Sequence, residues 1–235
     1  DYQMIHRLNA RYGSGPGAPD LPLLQNVIKK HLADVKSAFR EYVAKLRQED
    51  LLVVNNDDAN VREVARGFDG IIVRYGVGAG PDLYASNVIE YESSQSFELV
   101  WKGTSLGTFS TELPGIYNLY NILASIAVYL SYGGQTEAIQ GVLSGFHGVG
   151  RRFEVLGHLN ETLVVSDYAH HPTALRAVTD AARSRYKGKR ILTVFRPHHR
   201  ERTIKLFSEF VDVISEIPEM ILIEIYDVAG REEST

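Results

Sequence analysis

The chain has 235 residues, no cysteine, 44% hydrophobic and 23% charged residues and a formal net charge of -4. That length allows one large domain or two modest ones with real cores, and the lack of cysteine excludes a disulfide framework, a cysteine-ligated zinc site and a thiol nucleophile. No apolar run approaches the roughly 20 residues of a membrane span, no leader-like segment stands at the start, and mild acidity argues against a nucleic-acid binder, so a cytoplasmic protein with no membrane or nucleic-acid partner is expected.

Residues 13–19, rich in Gly and Pro, hold neither helix nor strand. Over residues 23–46, Leu32, Val35, Ala38, Phe39, Tyr42, Val43 and Leu46 recur at the spacing of an amphipathic helix. Residues 51–54, all apolar, suit a buried parallel strand; a turn, a helix over 61–66 and a strand over 71–73 complete a β-α-β pattern. Segments 84–91, 96–101 and 105–109 are β-leaning and separated by turn residues, which predicts a small antiparallel meander. Helical periodicity returns over 118–130 and 136–143, followed by a Gly-rich bend at 145–150. A domain boundary near Gly150 divides residues 1–149 from 150–235. Beyond it, strands at 153–158, 162–166, 190–195 and 220–226 alternate with helices at 173–186 and 202–215, which predicts an α/β architecture with a Rossmann-like parallel sheet.

Ligands of open parallel sheets bind beyond the carboxyl ends of the strands. Asp167-Tyr168-Ala169-His170-His171-Pro172 follow one predicted strand, Arg196-Pro197-His198-His199-Arg200-Glu201-Arg202 a second, and Tyr226-Asp227 a third. Four of the eight histidines fall in two of these loops, and all three loops should open on one edge. Arginines match carboxylate or phosphate bidentately, and the helix starts at Thr173 and near Arg202 add N–H donors. The edge therefore suits anions. A loop histidine bonded only to backbone or solvent is the plainer reading for any single one of these residues. A zinc site lacks Cys, His-Glu-x-x-His and a carboxylate set.

Upstream, Asn118 and Asn121 lie one turn apart on one helix face, where carboxamides can read a base edge; alternatively Asn118 is an N-cap and Asn121 a solvated residue. Gly148-Val149-Gly150-Arg151-Arg152-Phe153-Glu154 reads as a hinge followed by paired cations, or as a surface turn.

Six motifs in register, His31-Leu32, residues 53–61, 115–121, 148–154, 167–173 and 196–203, resemble the Mur ligases, most closely the alanine-adding members. The resemblance implies the second half of a central ATPase domain and the first part of a Rossmann-like C-terminal domain. It also implies an ATP-dependent, ADP-forming amide ligase: ATP phosphorylates the carboxylate of UDP-N-acetylmuramate, and the amine of L-alanine attacks the acyl phosphate. By the same resemblance Asn118 and Asn121 contact adenine, Arg152 the phosphates and Asp167 the ribose. His170, His198 and Arg202 hold the amino acid, Arg202 through its carboxylate, and His31 helps bind Mg2+. Tyr117 stands where the family usually has His, His199 where the alanine-adding members usually have Arg, and Lys29-Lys30 where an acidic lead precedes His31. No Gly-x-x-x-x-Gly-Lys-[Ser/Thr] phosphate loop occurs, so a fragment without that loop and without the family's N-terminal domain is expected, inactive in isolation. A murein tripeptide-recycling ligase of the same family and a non-catalytic nucleotide-binding module are the alternatives.

Overall fold

The structure, a computed structural model, describes residues 21–226, with side chains from residue 32 onward. Two compact units meet in sequence at Ile72 and Val73.

In the first unit, α1 (Leu21–Val43) is the predicted amphipathic helix. Its Lys36 and Arg40 grip Glu63 of α2 (Ala59–Val64) at 2.7 and 2.5 Å, which holds the Glu63 carboxyl below its ordinary value, Lys36 being the main cause. Asp58 caps α2 by accepting from the amides of Asn60 and Val61, the usual service of a short acidic side chain at orphan helix N–H groups. Between the helices lies β1 (Leu51–Asn55), with Val54 buried. His31 falls on α1, but its side chain lies outside the described residues.

β2 (Ile71–Val77) carries the chain into the second unit. It pairs in parallel with β3 (Leu83–Glu90), Tyr75 opposite Leu83 and Val77 opposite Ala85. Parallel neighbours normally need a crossover of a dozen or more residues; here residues 78–82 return the chain, with Gly78 and Gly80 in left-handed conformations at φ 89° and 130° that favour glycine. β4 (Gln95–Trp101) and β5 (Thr104–Thr111) complete the expected antiparallel meander. α3 (Ile116–Ser131) buries Leu119, Ile122, Leu123, Ile126 and Ala127, a stripe at helical spacing that packs toward β3. α4 (Thr136–Gly145) packs on β5.

The next two strands, β6 (Glu154–Leu159) and β7 (Thr162–Ser166), form an antiparallel hairpin rather than two members of a parallel sheet. Only Asn160 and Glu161 separate them, too few residues for a parallel crossover, and Asn160 takes the left-handed conformation such tight turns require. After α5 (Pro172–Arg185), the chain does form the predicted parallel unit: β8 (Thr193–Phe195), α6 (Arg200–Lys205), α7 (Phe207–Ser215) and β9 (Met220–Leu222), with Val194 opposite Ile221. The expected helix over 202–215 is broken at Leu206. Leu175, Phe195, Phe210, Val213 and Ile217 form the core beneath these elements. Among the described residues no helix is long and apolar enough to cross a membrane.

Candidate functional site

β7, β8 and β9 end on a common opening. A cleft of about 460 Å³ is lined by residues that follow all three strands: Asp167, Tyr168 and Ala169; Arg196 and His198; and Tyr226, together with Arg151. Asp227 lies outside the described residues. Convergence follows from backbone pairing. His198 bridges to Tyr226 in parallel, the Tyr226 amide donates to the Pro197 carbonyl at 2.8 Å, and the His199 amide to the Tyr226 carbonyl at 3.0 Å.

Aromatic rings pack the cleft. Tyr168 meets His170 and His198 edge-on, with centroids 5.0 and 5.8 Å apart, and His198 lies 5.1 Å from Tyr226. Two guanidiniums stack on the tyrosines, Arg151 on Tyr168 and Arg196 on Tyr226, at 5.1 and 4.9 Å. Tyr168, Tyr226, Arg151 and Arg196 are therefore cleft residues although only the histidines, Asp167, Arg152 and Arg202 stand out by motif. The signal for the tyrosines and for Arg196 was their place in the strand-end loops; for Arg151 it was the pairing of cations after the hinge.

The two adjacent histidines hold opposite tautomers. His170 Nδ1 lies 2.8 Å from the Tyr168 carbonyl, which can only accept, so Nδ1 carries the proton and neutral His170 offers the lone pair of Nε2. His171 Nδ1 instead accepts from the Thr173 amide at 3.3 Å and caps α5, with Pro172 in the first turn. Capping requires neutral His171, and its pKa is lowered, first by desolvation, then by Arg202 and His170. Burial likewise lowers His198, reinforced by His170, His199, Arg151 and Arg196. The cleft thus favours the neutral form of the His198 ring among its arginines.

Among the described residues, Asp167 is the one carboxylate that lines the cleft. Its Oδ2 accepts from the Phe153 amide at 2.8 Å and its Oδ1 from the Ala169 amide at 2.7 Å. Arg152 is exposed, directly before Phe153. Arg202, on α6, acts electrostatically on His171 and is absent from the cleft lining.

The asparagine pair divides. Asn118 is buried, and its Nδ2 donates to the Pro114 carbonyl at 2.8 Å; Gly115, at φ 82°, is the N-cap of α3. Asn121 is exposed. Between the turn and Asn118, Tyr117 buries a hydroxyl that has no hydrogen-bond partner of good geometry among the described residues, although the neighbouring Asn118 side chain acts on it. Its pKa is driven far above the ordinary range by burial and then by the Asp167 carboxylate, against the opposing pull of Arg152, so Tyr117, Asp167 and Arg152 share one neighbourhood.

Magnesium favours an oxygen-rich donor set. Among the described residues no three His, Asp or Glu side chains converge, and the His31 side chain lies outside them. The described residues by themselves therefore assemble no magnesium site.

Residues 20–129 match the family described as "Mur ligase middle domain", and residues 151–234 match "Mur ligase, glutamate ligase domain". The UDP-N-acetylmuramate–L-alanine ligase of Hydrogenobaculum sp. is 35% identical over 219 residues, covering 91% of this chain and 48% of its own. That of Alkaliphilus metalliredigens is 33% identical over 222 residues, covering 92% and 48%. The chain spans about half the length of these curated relatives. Among solved structures, the UDP-N-acetylmuramate-alanine ligase MurC of Thermotoga maritima superposes with a TM-score of 0.62 at 23% identity, over 82% of this chain and 46% of that one. The murein peptide ligase of Psychrobacter arcticus superposes with a TM-score of 0.56 at 19% identity, over 82% and 47%. At such identities the superpositions speak for the fold.

Proposed function

Because this chain belongs to the Mur ligase family, combining its middle and C-terminal domains, we propose that it is part of a cytoplasmic, ATP-dependent ligase that joins L-alanine to UDP-N-acetylmuramate. A domain boundary near Gly150 is part of this reading, supported by the spacing of the two matched segments, residues 20–129 and 151–234. The single observation that carries the reading is the cleft lined by Asp167 and His198 at the strand ends, with His170 packed against Tyr168 of its lining.

The chemistry follows from the charges. ATP transfers its γ-phosphoryl group to the carboxylate, giving an acyl phosphate and ADP; such transfer needs chiefly positioning and charge neutralisation. The exposed Arg152 is assigned to the phosphates, and the adenine to the face carrying Asn118 and Asn121, with a ribose hydroxyl left for the remaining lone pairs of Asp167. The amine then attacks the acyl carbon, loses a proton, and expels phosphate as the amide forms. Only the uncharged amine is nucleophilic. Guanidiniums around the cleft disfavour an ammonium ion there, while His170 Nε2, left free by the Nδ1 bond, and the His198 ring, whose pKa is lowered, are the acceptors available to the amine's N–H groups. Arg202, at the start of α6, is assigned to the amino acid carboxylate, the group a guanidinium fork matches best.

ADP release by the natural protein that carries this chain tests the reading, with L-alanine or a murein tripeptide supplied beside UDP-N-acetylmuramate. Release with L-alanine is expected; release with tripeptide alone would assign the recycling reaction instead, which the Ala169-His170-His171-Pro172-Thr173-Ala174 string also suits. The 235-residue chain alone, lacking a phosphate-loop sequence, should bind without turnover, and measurable ligation by it would refute that part.

A further inference from the structure

The carboxylate of Asp167 does more than face a ligand. Residues 151–153 make a turn in which Arg151 and Phe153, neither of them glycine, take φ values of 61° and 49°. Such conformations cost on the order of 1–3 kcal/mol each and persist only where surroundings impose them. Four bonds impose this one. The Arg151 amide donates to Glu154 Oε2 at 2.7 Å, the Arg152 amide to the Val149 carbonyl at 3.0 Å, the Tyr168 amide to the Arg151 carbonyl at 2.7 Å, and the Phe153 amide to Asp167 Oδ2 at 2.8 Å. Two of the four come from Asp167 and its neighbour Tyr168. On its other side, Asp167 Oδ1 closes a local turn on the Ala169 amide at 2.7 Å. That turn presents the Tyr168 carbonyl, which fixes the His170 tautomer.

We propose that Asp167 is a positioning residue that holds the Arg152 turn and the His170 loop in one register, joining the phosphate side of the cleft to the amine side. This rests on the assignment of Arg152 and His170 given above. A carboxylate has about four lone-pair directions, and two are used here, so a ribose contact is compatible with the role. Neither Asn nor Ala fits it: Asn could satisfy one of the two amides but would turn an N–H against the other, and Ala would satisfy neither.

Nitrogen-15 NMR on the 235-residue chain reads each arm without turnover. In Asp167→Ala, the Phe153 and Ala169 amides should exchange at least about tenfold faster, the scale of one lost charge-assisted hydrogen bond. The His170 ring nitrogens should leave the Nδ1–H pattern. Asp167→Asn should release one amide, keep the other, and hold an intermediate tautomer ratio. Titration with ATP should shift the His170 ring signals in the unsubstituted chain and leave them unmoved in Asp167→Ala. The proposal is overturned if both folded variants keep both amides and the His170 pattern, or if the two variants loosen the whole unit equally, which a merely structural role would give. If ATP shifts nothing in the unsubstituted chain, the nucleotide assignment fails, while the amide and ring signals still decide on Asp167.

Discussion

Two polar regions flank the bend at Gly148–Gly150, and they use similar residues in opposite ways. In the turn before α3, polar groups are directed inward: Gln95 donates to the Leu113 carbonyl at 2.6 Å, Glu90 accepts from the Gly115 amide at 3.1 Å, and Asn118 donates to the Pro114 carbonyl at 2.8 Å. In the strand-end cleft they are directed outward, and it is the backbone that holds the loops, through the His198–Tyr226 bridge and the amides on Asp167. A motif residue is therefore not a ligand contact by type alone. Asn118 builds the shape of its site with the donor it has, whereas His170 uses one nitrogen for shape and keeps the other.

The contrast is most severely broken at Phe195, 4% exposed, which both lines the cleft and packs on Phe210 with ring centroids 5.7 Å apart. Phe195→Ala should destabilise the second unit by about 3–5 kcal/mol, read as a lower denaturation midpoint in urea. Next is Gly115→Ala. Its φ of 82° is left-handed, and an added Cβ would stand 2.7 Å from the Tyr117 ring and 2.9 Å from the Ala181 Cβ. A loss of roughly 2–3 kcal/mol is expected from strain and overlap together, whereas alanine at the open Gly188, also at positive φ, should cost only the conformational share. A loss at Gly115 no greater than at Gly188 would show that the turn is not held from outside.

His171→Ala removes a helix cap and should cost about 1 kcal/mol, with His171→Asn restoring most of it. The same pair reads the titration. His171 and His198 both have folded pKa values lowered from 6.5, so the unfolded chain binds more protons, and their stabilisation is complete above about 6.5 and lost as pH falls through the folded values. His171→Asn should flatten that acid-side slope without abolishing it, since His198 remains. The smallest effect carries the opposite sign. Tyr117→Phe deletes a buried hydroxyl without a partner of good geometry among the described residues and should raise stability by up to about 1 kcal/mol; a drop in melting temperature would mean that the Asn118 side chain, which acts on this hydroxyl, is a true partner.

Much of this was legible in the sequence. The loops at Asp167, Arg196 and Tyr226 announced themselves as polar runs after apolar β segments, and the α3 stripe from Leu119 to Ala127 was a plain helical period. The pairing of β6 with β7 was not, because alternation of apolar residues carries no direction; only the shortness of the Asn160-Glu161 link excludes a parallel partner. The parallel return of β3 onto β2 was hidden for the same reason, and it depends on Gly78 and Gly80. Within the site, the opposite tautomers of His170 and His171 are set by a carbonyl and an amide two residues away, geometry that composition does not encode. Arg151 enters the cleft only because Tyr168 pairs with its carbonyl.

The central claim, that the strand-end loops form the amino acid cleft, is tested most directly by titrating the 235-residue chain with L-alanine while following the ring nitrogens of His170 and His198. Saturable shifts at both rings are predicted, abolished when alaninamide replaces L-alanine and weakened in Arg202→Lys. Shifts that appear equally with alaninamide, or rings that stay unmoved at saturating L-alanine, would contradict it.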